Sequence, residues 1–572
     1  MHIYGVVSPA EKFGLHEPFN TMSRHSSEIH PAQDDDEEKS PVIDDAEEAK
    51  IESEVLMRTH FEEMGVIKTI RVFKRAVLIG ALAAFATAFD GYQISITGSI
   101  IANKGFIRQF GTAHNSKGAL ILDANVLAVW GGIQSLGQGL GMLTMHFIAD
   151  GFGRKPAFFA IWTALLIGVC FESFGKTWQL WLVAKLFSGY AVGCIQFMNG
   201  LYMSEISPTR IRGFLITSCF IWYGIGQLFA SVALKVLNDR QPLNYLDAVY
   251  TEWAMVGVLL GIYLYIPESP YWCALHGQHD TGRRVMKRLY NGIEGFDADY
   301  HYDIIKVTVE QEQQEVQGPS STFKERVRLN LVELKQIFTG TNGLRTLIAF
   351  MPSAVQQIGG LTVLSNYASY FAQTAGFADP FLYSLLLAVS ALVMVIACAF
   401  ITDKSGRRRL FLFAVTGQWV VSWVIGGMGL APKGNKAIDG LVLFFSLVWR
   451  MLSTALGTLH WTYSAETSSS RLRAKTAGVA SAGGIVIGII FSTSVPYMLN
   501  PNYANWGLRT ILFFAGISTP VVVASYFLMP DTSNRTPAEL NEMFEAGVKP
   551  WRFRSYVTEA QKRLEESKVH ST

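Results

Sequence analysis

Long apolar runs, separated by short polar stretches, fill most of the chain between residues 77 and 530. A run of about 18 or more apolar residues is long enough to cross the hydrocarbon core of a bilayer, where only a helix satisfies its own backbone. Twelve such runs predict an all-α protein with twelve membrane-spanning helices. They cover roughly 77–100, 120–149, 156–174, 178–204, 214–237, 252–268, 345–372, 380–402, 409–430, 438–464, 475–499 and 508–530.

Polar segments divide the chain around these runs. Residues 1–70 are acidic and poor in apolar residues, which predicts a disordered tail. Residues 71–268 and 345–531 hold six predicted spans each, so we expect two six-helix halves. The polar residues 269–344 between them show helical patterning and predict a helical linker, and residues 532–572 form a second polar tail.

The composition and the distribution of charge agree with a membrane protein. Charged residues make up only 16% of the chain, and mean hydropathy is positive at +0.24. Lysine and arginine gather before the first span and after every even-numbered one up to the tenth, so the positive-inside rule places both termini and the linker in the cytoplasm. The net charge of +2 gives no reason to expect a nucleic-acid partner. We expect the chain to lie in the plasma membrane.

Three landmarks of the first six spans recur, in the same order and at nearly constant separation, in the second six. The segment "ADGFGRKP" after span two corresponds to "TDKSGRRR" after span eight, and "SEISPTRIRG" after span four corresponds to "AETSSSRLRA" after span ten. "PESP" after span six likewise corresponds to "PDTS" after span twelve. A duplicated six-helix unit is typical of transporters that bind substrate between their halves, near the middle of the membrane.

Together these motifs resemble the sugar porter family of the major facilitator superfamily. The resemblance runs from about residue 70 to residue 555 and includes D-x-x-G-R-[RK] in both halves, "PESPYW" and "QQIGG". "SAETSSSRLRAKTAG" and "YMLNPNYANWGLRT" are similar to segments of its fungal α-glucoside and maltose permease branch. The resemblance implies the major facilitator fold, alternating access, and a maltose-like disaccharide or a hexose as the substrate.

The resemblance also implies where a sugar would bind. The substrate-binding candidates are Gln356, Gln357, Thr362, Asn366, Trp461, Gln227 and Gln93. Amides and hydroxyls would bond to the sugar hydroxyls, and Trp461 would stack on the apolar face of the ring. The alternatives are hydrogen bonds that join helices, for the glutamines, and ordinary packing, for the tryptophan. Phe220 occupies a position in span five where relatives often have an amide.

One carboxylate, Asp90, lies in the middle of span one. In proton-coupled relatives the proton carrier corresponds to Gln93 of this chain, and glutamine cannot titrate. Asp90 lies one helical turn earlier on the same face, and a charge in mid-membrane is usually functional. A pair of Asp90 with Lys185 of span four would allow proton coupling; the alternatives are a static ion pair and facilitated transport.

Charged residues at the loop ends of both halves form another candidate group. They are Asp150, Arg154, Glu205 and Arg212 in the first half, and Asp403, Arg407, Glu466 and Arg473 in the second. We expect them to form ion pairs that latch the cytoplasmic side during alternating access. The alternative is that the basic residues only anchor the loops on the cytoplasmic side.

Other functions are less compatible with the sequence. It contains no nucleotide-binding P-loop, no metal-ligand cluster and no nucleophile–base arrangement, so we expect no enzyme activity, cofactor or metal. A sugar sensor that signals through its tails remains an alternative, as does a transporter of a quinate-like acid, which would need a further cation in the cavity. We expect a monomer that binds a sugar and, if transport is coupled, protons.

Overall fold

The computed structural model describes most of the chain from residue 66 onward. The described residues are 66–116, 118–293, 296–316, 335–431, 436–468, 472–533, 535 and 537–558. The predicted disordered tail lies outside them, apart from its last five residues, which belong to a short helix, Val66–Val72.

Six long helices form the first half. They are α1 (Lys74–Ile100, interrupted at Phe85), α2 (Ala124–Phe152), α3 (Arg154–Phe174), α4 (Trp178–Ile206), α5 (Thr209–Arg240) and α6 (Leu246–Tyr265). Between α1 and α2 lie a short helix, Lys104–Phe110, and two antiparallel strands of two residues, Ala113–His114 (β1) and Leu120–Ile121 (β2). The linker continues from α6 as three helices, Pro270–Leu275, His279–Tyr290 and Ala298–Val316.

Six further helices form the second half. They are α7 (Gly340–Ile358), α8 (Pro380–Ser405), α9 (Arg407–Met428), α10 (Lys436–Glu466), α11 (Arg473–Leu499) and α12 (Thr510–Leu528). A 3₁₀ turn, Gly507–Arg509, precedes α12, and a helix, Pro537–Glu545, and a 3₁₀ turn, Pro550–Ser555, follow it.

The predicted twelve-helix architecture is confirmed, although two helices differ from the other ten. In the described part of the chain, ten helices are long and apolar enough to cross a membrane. The other two spans are α2, which carries Gln134 and Gln138, and α7, which breaks at Gly359. Beyond the break the chain continues through a π-helical turn, Thr362–Asn366, into a short helix, Ala368–Ala375. The polar side chains of α2 and the irregular backbone of α7 are tolerated at membrane depth only where they face the inside of the protein.

Glycines let α2 and α4 approach each other closely. A Cβ atom on Gly189 or Gly193 of α4 would collide with the backbone oxygens of Gln134 and Gln138 in α2. Gly141 of α2 lies equally close to the backbone of α4. Small residues four positions apart are the usual means by which membrane helices pack backbone to backbone. This contact fixes the two glutamines of α2 beside α4.

The apolar core shows where the halves meet. We call the end of the bundle from which α6 leads into the linker the linker end, and the opposite end the far end. Toward the far end one cluster of buried side chains includes both halves, for example Phe106 and Phe371. Toward the linker end the buried side chains form two separate clusters, one within each half. In the described residues, the apolar cores of the two halves are therefore joined at the far end and separate toward the linker end.

Candidate transport site between the two halves

Polar side chains bridge the halves at the far end. Lys235 of α5 forms an ion pair of 2.6 Å with Asp379, the residue that precedes α8. Asn500, which follows α11, donates to the backbone oxygen of Leu122, just before α2, at 2.9 Å. Together with the shared apolar cluster, these contacts close the far end of the bundle.

A cavity lies between the halves, against α1, α2, α4, α11 and the π-helical turn of α7. Its polar lining comes from Thr97, Gln134, Ser135, Gln138, Asn366 and Ser492. Its aromatic lining comes from Trp130, Trp181 and Tyr367. Amides and hydroxyls beside aromatic faces are the groups that bind a polyhydroxylated ring, which has polar edges and apolar faces. Of the predicted substrate residues, Asn366 lines this cavity.

Three other predicted substrate residues lie on the second half. Gln356 donates to the backbone oxygen of Ser453 in α10 at 2.9 Å, and Gln357 is half-buried between α7 and α11. The ring of Trp461 is 40% exposed and lies 6.2 Å from that of Phe220, across the gap between the halves. The residue that replaces the family's amide thus forms an aromatic pair with the predicted stacking residue.

The remaining three predicted substrate residues are buried inside the bundle in this conformation. Gln93 is fully buried and donates to Glu172 at 2.7 Å, so its side chain does not face the cavity. Thr362 is buried in the π-helical turn. Gln227 is 4% exposed and accepts a hydrogen bond of 2.8 Å from Arg450, a residue of the other half.

The predicted pair of Asp90 with Lys185 is wrong. Asp90, which is 2% exposed, accepts a hydrogen bond of 2.9 Å from Gln196, and Gln196 in turn accepts one of 2.9 Å from Gln138 at the cavity wall. Asp90 lies one turn closer to the linker end than Gln93, whereas Lys185 lies only two turns from the far end of α4. Another carboxylate, Glu172, is therefore the partner of Lys185.

Lys185 belongs to a buried polar cluster that we call the α3–α6 cluster: Gln93, Thr97, Glu172, Lys185, Ser188 and Glu252. Lys185 forms an ion pair of 2.9 Å with Glu172 and donates to Thr97 at 2.9 Å. Glu172 also accepts from Ser188 at 2.8 Å, and Glu252 of α6 lies against Glu172 and is fully buried. Sequence reasoning missed Glu172 and Glu252, although both are carboxylates inside or at the edge of apolar runs.

A second buried cation was also missed. Arg450 of α10 is 7% exposed and lies near Tyr223 as well as Gln227. Among the described residues no carboxylate forms an ion pair with it, so its charge is balanced only by amide and phenol dipoles. The signal was present in the sequence as an arginine in the middle of span ten.

At the linker end of the first half, Arg154 joins three helices. Its guanidinium forms ion pairs with Glu205 at 2.6 Å and Asp150 at 3.0 Å. The carboxylate of Glu268, in the "PESP" motif, accepts from the backbone nitrogens of Arg154 and Lys155 at 2.7 and 3.0 Å. Asp150, Arg154 and Glu205 are thus joined by ion pairs within one half, and their role as a latch stays a prediction.

The second half repeats part of this arrangement. Arg407 pairs with Glu466, which also accepts from Thr532 at 2.9 Å. Arg212 lies near the start of α5, close to Tyr290 of the linker. The side chains of Asp403 and Arg473 lie outside the described residues.

Comparison with known proteins gives relatives along most of the chain. It is 26% identical over 511 residues to the MFS transporter fmqE of Aspergillus fumigatus, covering 86% of this chain and 92% of that one. It is 26% identical over 545 residues to the general alpha-glucoside permease of Saccharomyces cerevisiae, covering 92% and 84% respectively. Among solved structures, XylE, the xylose transporter of E. coli, in an inward open conformation superposes with a TM-score of 0.63 at 16% identity, covering 82% of this chain and 99% of that one.

The structural likeness shows the major facilitator fold. The family model described as "Sugar (and other) transporter" matches residues 79–544, which include all but the first few residues of α1 and everything up to the helix after α12. Repeated motifs, twelve helices in two halves and a cavity between them agree with that match. The chain belongs to the Sugar (and other) transporter family.

Proposed function

We propose that this chain carries a carbohydrate, an α-glucoside such as maltose or a hexose, across the plasma membrane by alternating access. The observation that carries the proposal is the cavity between two repeated halves whose apolar cores, in the described residues, join at the far end and are separate toward the linker end. With the termini in the cytoplasm the far end is extracellular, so this conformation faces inward. The protein works as a monomer, because the cavity is built from the two halves of a single chain.

The lining of the cavity supports a sugar as the substrate. Asn366, Gln134 and Gln138 offer amide donors and acceptors, and Trp130 and Trp181 offer aromatic faces. The likeness to a permease named for α-glucosides favours a disaccharide, while a facilitated hexose transporter is compatible with the same groups.

The direct test is uptake of labelled maltose and glucose by the purified chain in lipid vesicles. Asn366→Ala should lower the apparent affinity, and Asn291→Ala, in the exposed linker, serves as the matched control. If neither sugar crosses the membrane in either direction, the substrate proposal fails, and saturable sugar binding without transport would instead indicate a sensor.

We also propose that transport is coupled to protons. Asp90 is a candidate carrier because hydrogen bonds through Gln196 connect it to Gln138 at the cavity wall. One oxygen of Asp90 has no hydrogen-bond partner among the described residues, so it is free to take a proton. Accumulation of sugar against its gradient, driven by an inward proton gradient, would support coupling; simple equilibration would contradict it.

Arg450 favours a second candidate function, transport of an acidic polyhydroxylated compound. A buried guanidinium without a counter-ion in the described part of the chain is energetically costly, and that cost favours a functional role for it. A substrate carboxylate could bond to it in place of Gln227, by the bidentate geometry that arginine prefers. Competition decides between the two: a quinate-like acid should block sugar uptake in the wild type and lose that effect in Arg450→Gln.

A further inference from the structure

The α3–α6 cluster contains two carboxylates and one ammonium group. Glu172, Glu252 and Lys185 are each at most 1% exposed. Lys185 neutralises one carboxylate, and the second would add a negative charge in a site without water contact. Burial of an uncompensated charge is so unfavourable that the group takes up a proton instead.

Glu252 is the carboxylate whose negative charge would be left uncompensated. Neither of its oxygens has a hydrogen-bond donor among the described residues, although it lies against Glu172. Two carboxylates can bond to each other only when one of them carries a proton. Glu172, by contrast, already accepts three hydrogen bonds, from Gln93, Lys185 and Ser188.

The cluster is connected to the cavity through Lys185. Its ammonium group donates to Thr97 and lies 4.7 Å from the centre of the Trp181 ring. Both Thr97 and Trp181 line the cavity between the halves. A change of charge at the carboxylates therefore acts on two groups of the cavity wall through a single side chain.

We propose that Glu172 and Glu252 share one exchangeable proton and that this pair, held by Lys185, is the proton-binding site that drives sugar transport. The inference rests on the proposed function. It locates the titrating group on α3 and α6, whereas the position that carries the proton in relatives is occupied by Gln93. Glutamine then acts as a fixed donor that holds Glu172 in place.

The surrounding elements supply few other charges. Electrostatic contacts of Glu252 in the described residues are with Glu172 of α3, Lys185 of α4 and Tyr92 of α1. Asp90, also on α1, bonds to Gln196 instead. Among the described residues, Lys185 is therefore the cation next to the pair, and Asp90 is bonded elsewhere.

The proton cycle follows from the position of the pair. Glu252 lies six residues, or about 10 Å of helix, from the far end of α6. When the far end opens, water delivers a proton to a carboxylate oxygen, and the new O–H group donates to the other carboxylate. This conformation, in which Lys185 still donates to Thr97, therefore precedes release of the proton at the linker end. Release of the proton to water leaves two carboxylates around Lys185. That draws Lys185 away from Thr97 and changes the cavity wall.

The test uses purified full-length protein in vesicles and two readouts. Infrared difference spectra should show the C=O band of a protonated carboxylic acid that disappears as pH rises, and Glu252→Gln should remove it. Sugar accumulation, about tenfold for one unit of pH gradient in a tightly coupled one-proton carrier, should fall to simple equilibration in Glu252→Gln and Glu172→Gln. Exchange of labelled for unlabelled sugar should persist, and Glu310→Gln, in the exposed linker helix, is the control.

The outcomes separate the two proposals. The inference is overturned if the wild-type protein shows no titrating carboxylic acid band at any pH at which it stays folded. This readout does not depend on whether the variants fold. Undiminished accumulation in both glutamine variants also overturns it. A band that behaves as expected in a protein that moves no sugar establishes the buried proton but overturns its role in sugar transport, and in that case it is the proposed function that has failed.

Discussion

Gly98 of α1 packs directly against the backbone carbonyl of Asn366, in the π-helical turn of α7. A Cβ atom at Gly98 would overlap that carbonyl, so the two halves meet there through main-chain atoms. Asn366 also lines the cavity, which places a tight closure point beside the predicted substrate site. The contact makes closure of the far end sensitive to a single methyl group.

We expect Gly98→Ala to disfavour the inward-facing conformation. The methyl group cannot fit while Asn366 keeps its position, so the halves separate at the far end and transport falls at least tenfold. Labelling of a cysteine introduced at Leu127, which is 1% exposed in this conformation and lines the cavity, by a membrane-impermeant thiol reagent from outside should rise. Gly257→Ala, where the added methyl group meets open space, is the matched control. Unchanged labelling and transport in Gly98→Ala would contradict this closure model.

Trp461 provides a test of sugar stacking. Trp461→Ala should raise the KM for sugar several-fold, because aromatic stacking contributes about 0.5–1.5 kcal/mol. Trp461→Phe should recover part of the loss, since the ring still faces Phe220 across the gap. Trp551→Ala, an exposed residue beyond α12, controls for general effects of removing an indole. An unchanged KM in Trp461→Ala would assign the ring to packing.

The two charge clusters at the linker end should differ in strength. Side chains of Arg154 and Glu205 are 3% and 6% exposed, whereas those of Arg407 and Glu466 are 19% and 27% exposed. Loss of one partner from a buried pair costs about 3–5 kcal/mol, and the cost decreases with exposure. Arg154→Gln should therefore lower the free energy of unfolding far more than Arg407→Gln.

Thermal unfolding in detergent measures that difference. The prediction is wrong if both substitutions shift the midpoint equally, or if Arg407→Gln has the larger effect. A transport assay on the same samples adds a second criterion. Substitutions that weaken a latch without unfolding the protein should change the ratio of inward-facing to outward-facing molecules, as read by cysteine labelling at the far end.

The sequence was sufficient for the fold because apolar run length and internal repetition are local signals. It also pointed to Arg154 and Glu205, which lie in motifs that recur in both halves, and to Asn366, on the same predicted span as "QQIGG". It could not reveal which carboxylate meets Lys185, because that depends on helix rotation and depth, which place Glu172 beside Lys185 and Asp90 closer to the linker end. Arg450 was visible in the sequence as a single charge in an apolar run, but nothing in that run indicates its partner, Gln227, on another helix.

Lys185→Met offers the sharpest test of the α3–α6 cluster. Removing the ammonium group leaves Glu172 and Glu252 without a cation, so the single variant should be strongly destabilised, by about 3–5 kcal/mol. Adding Glu172→Gln restores a cluster that is neutral once Glu252 is protonated, and stability should largely return. The double variant should equilibrate sugar but no longer accumulate it. Without the ammonium group of Lys185, nothing favours the ionised form of Glu252, so Glu252 keeps its proton. If the double variant accumulates sugar as well as the wild type does, the driving proton binds elsewhere, and Asp90→Asn becomes the next variant to measure.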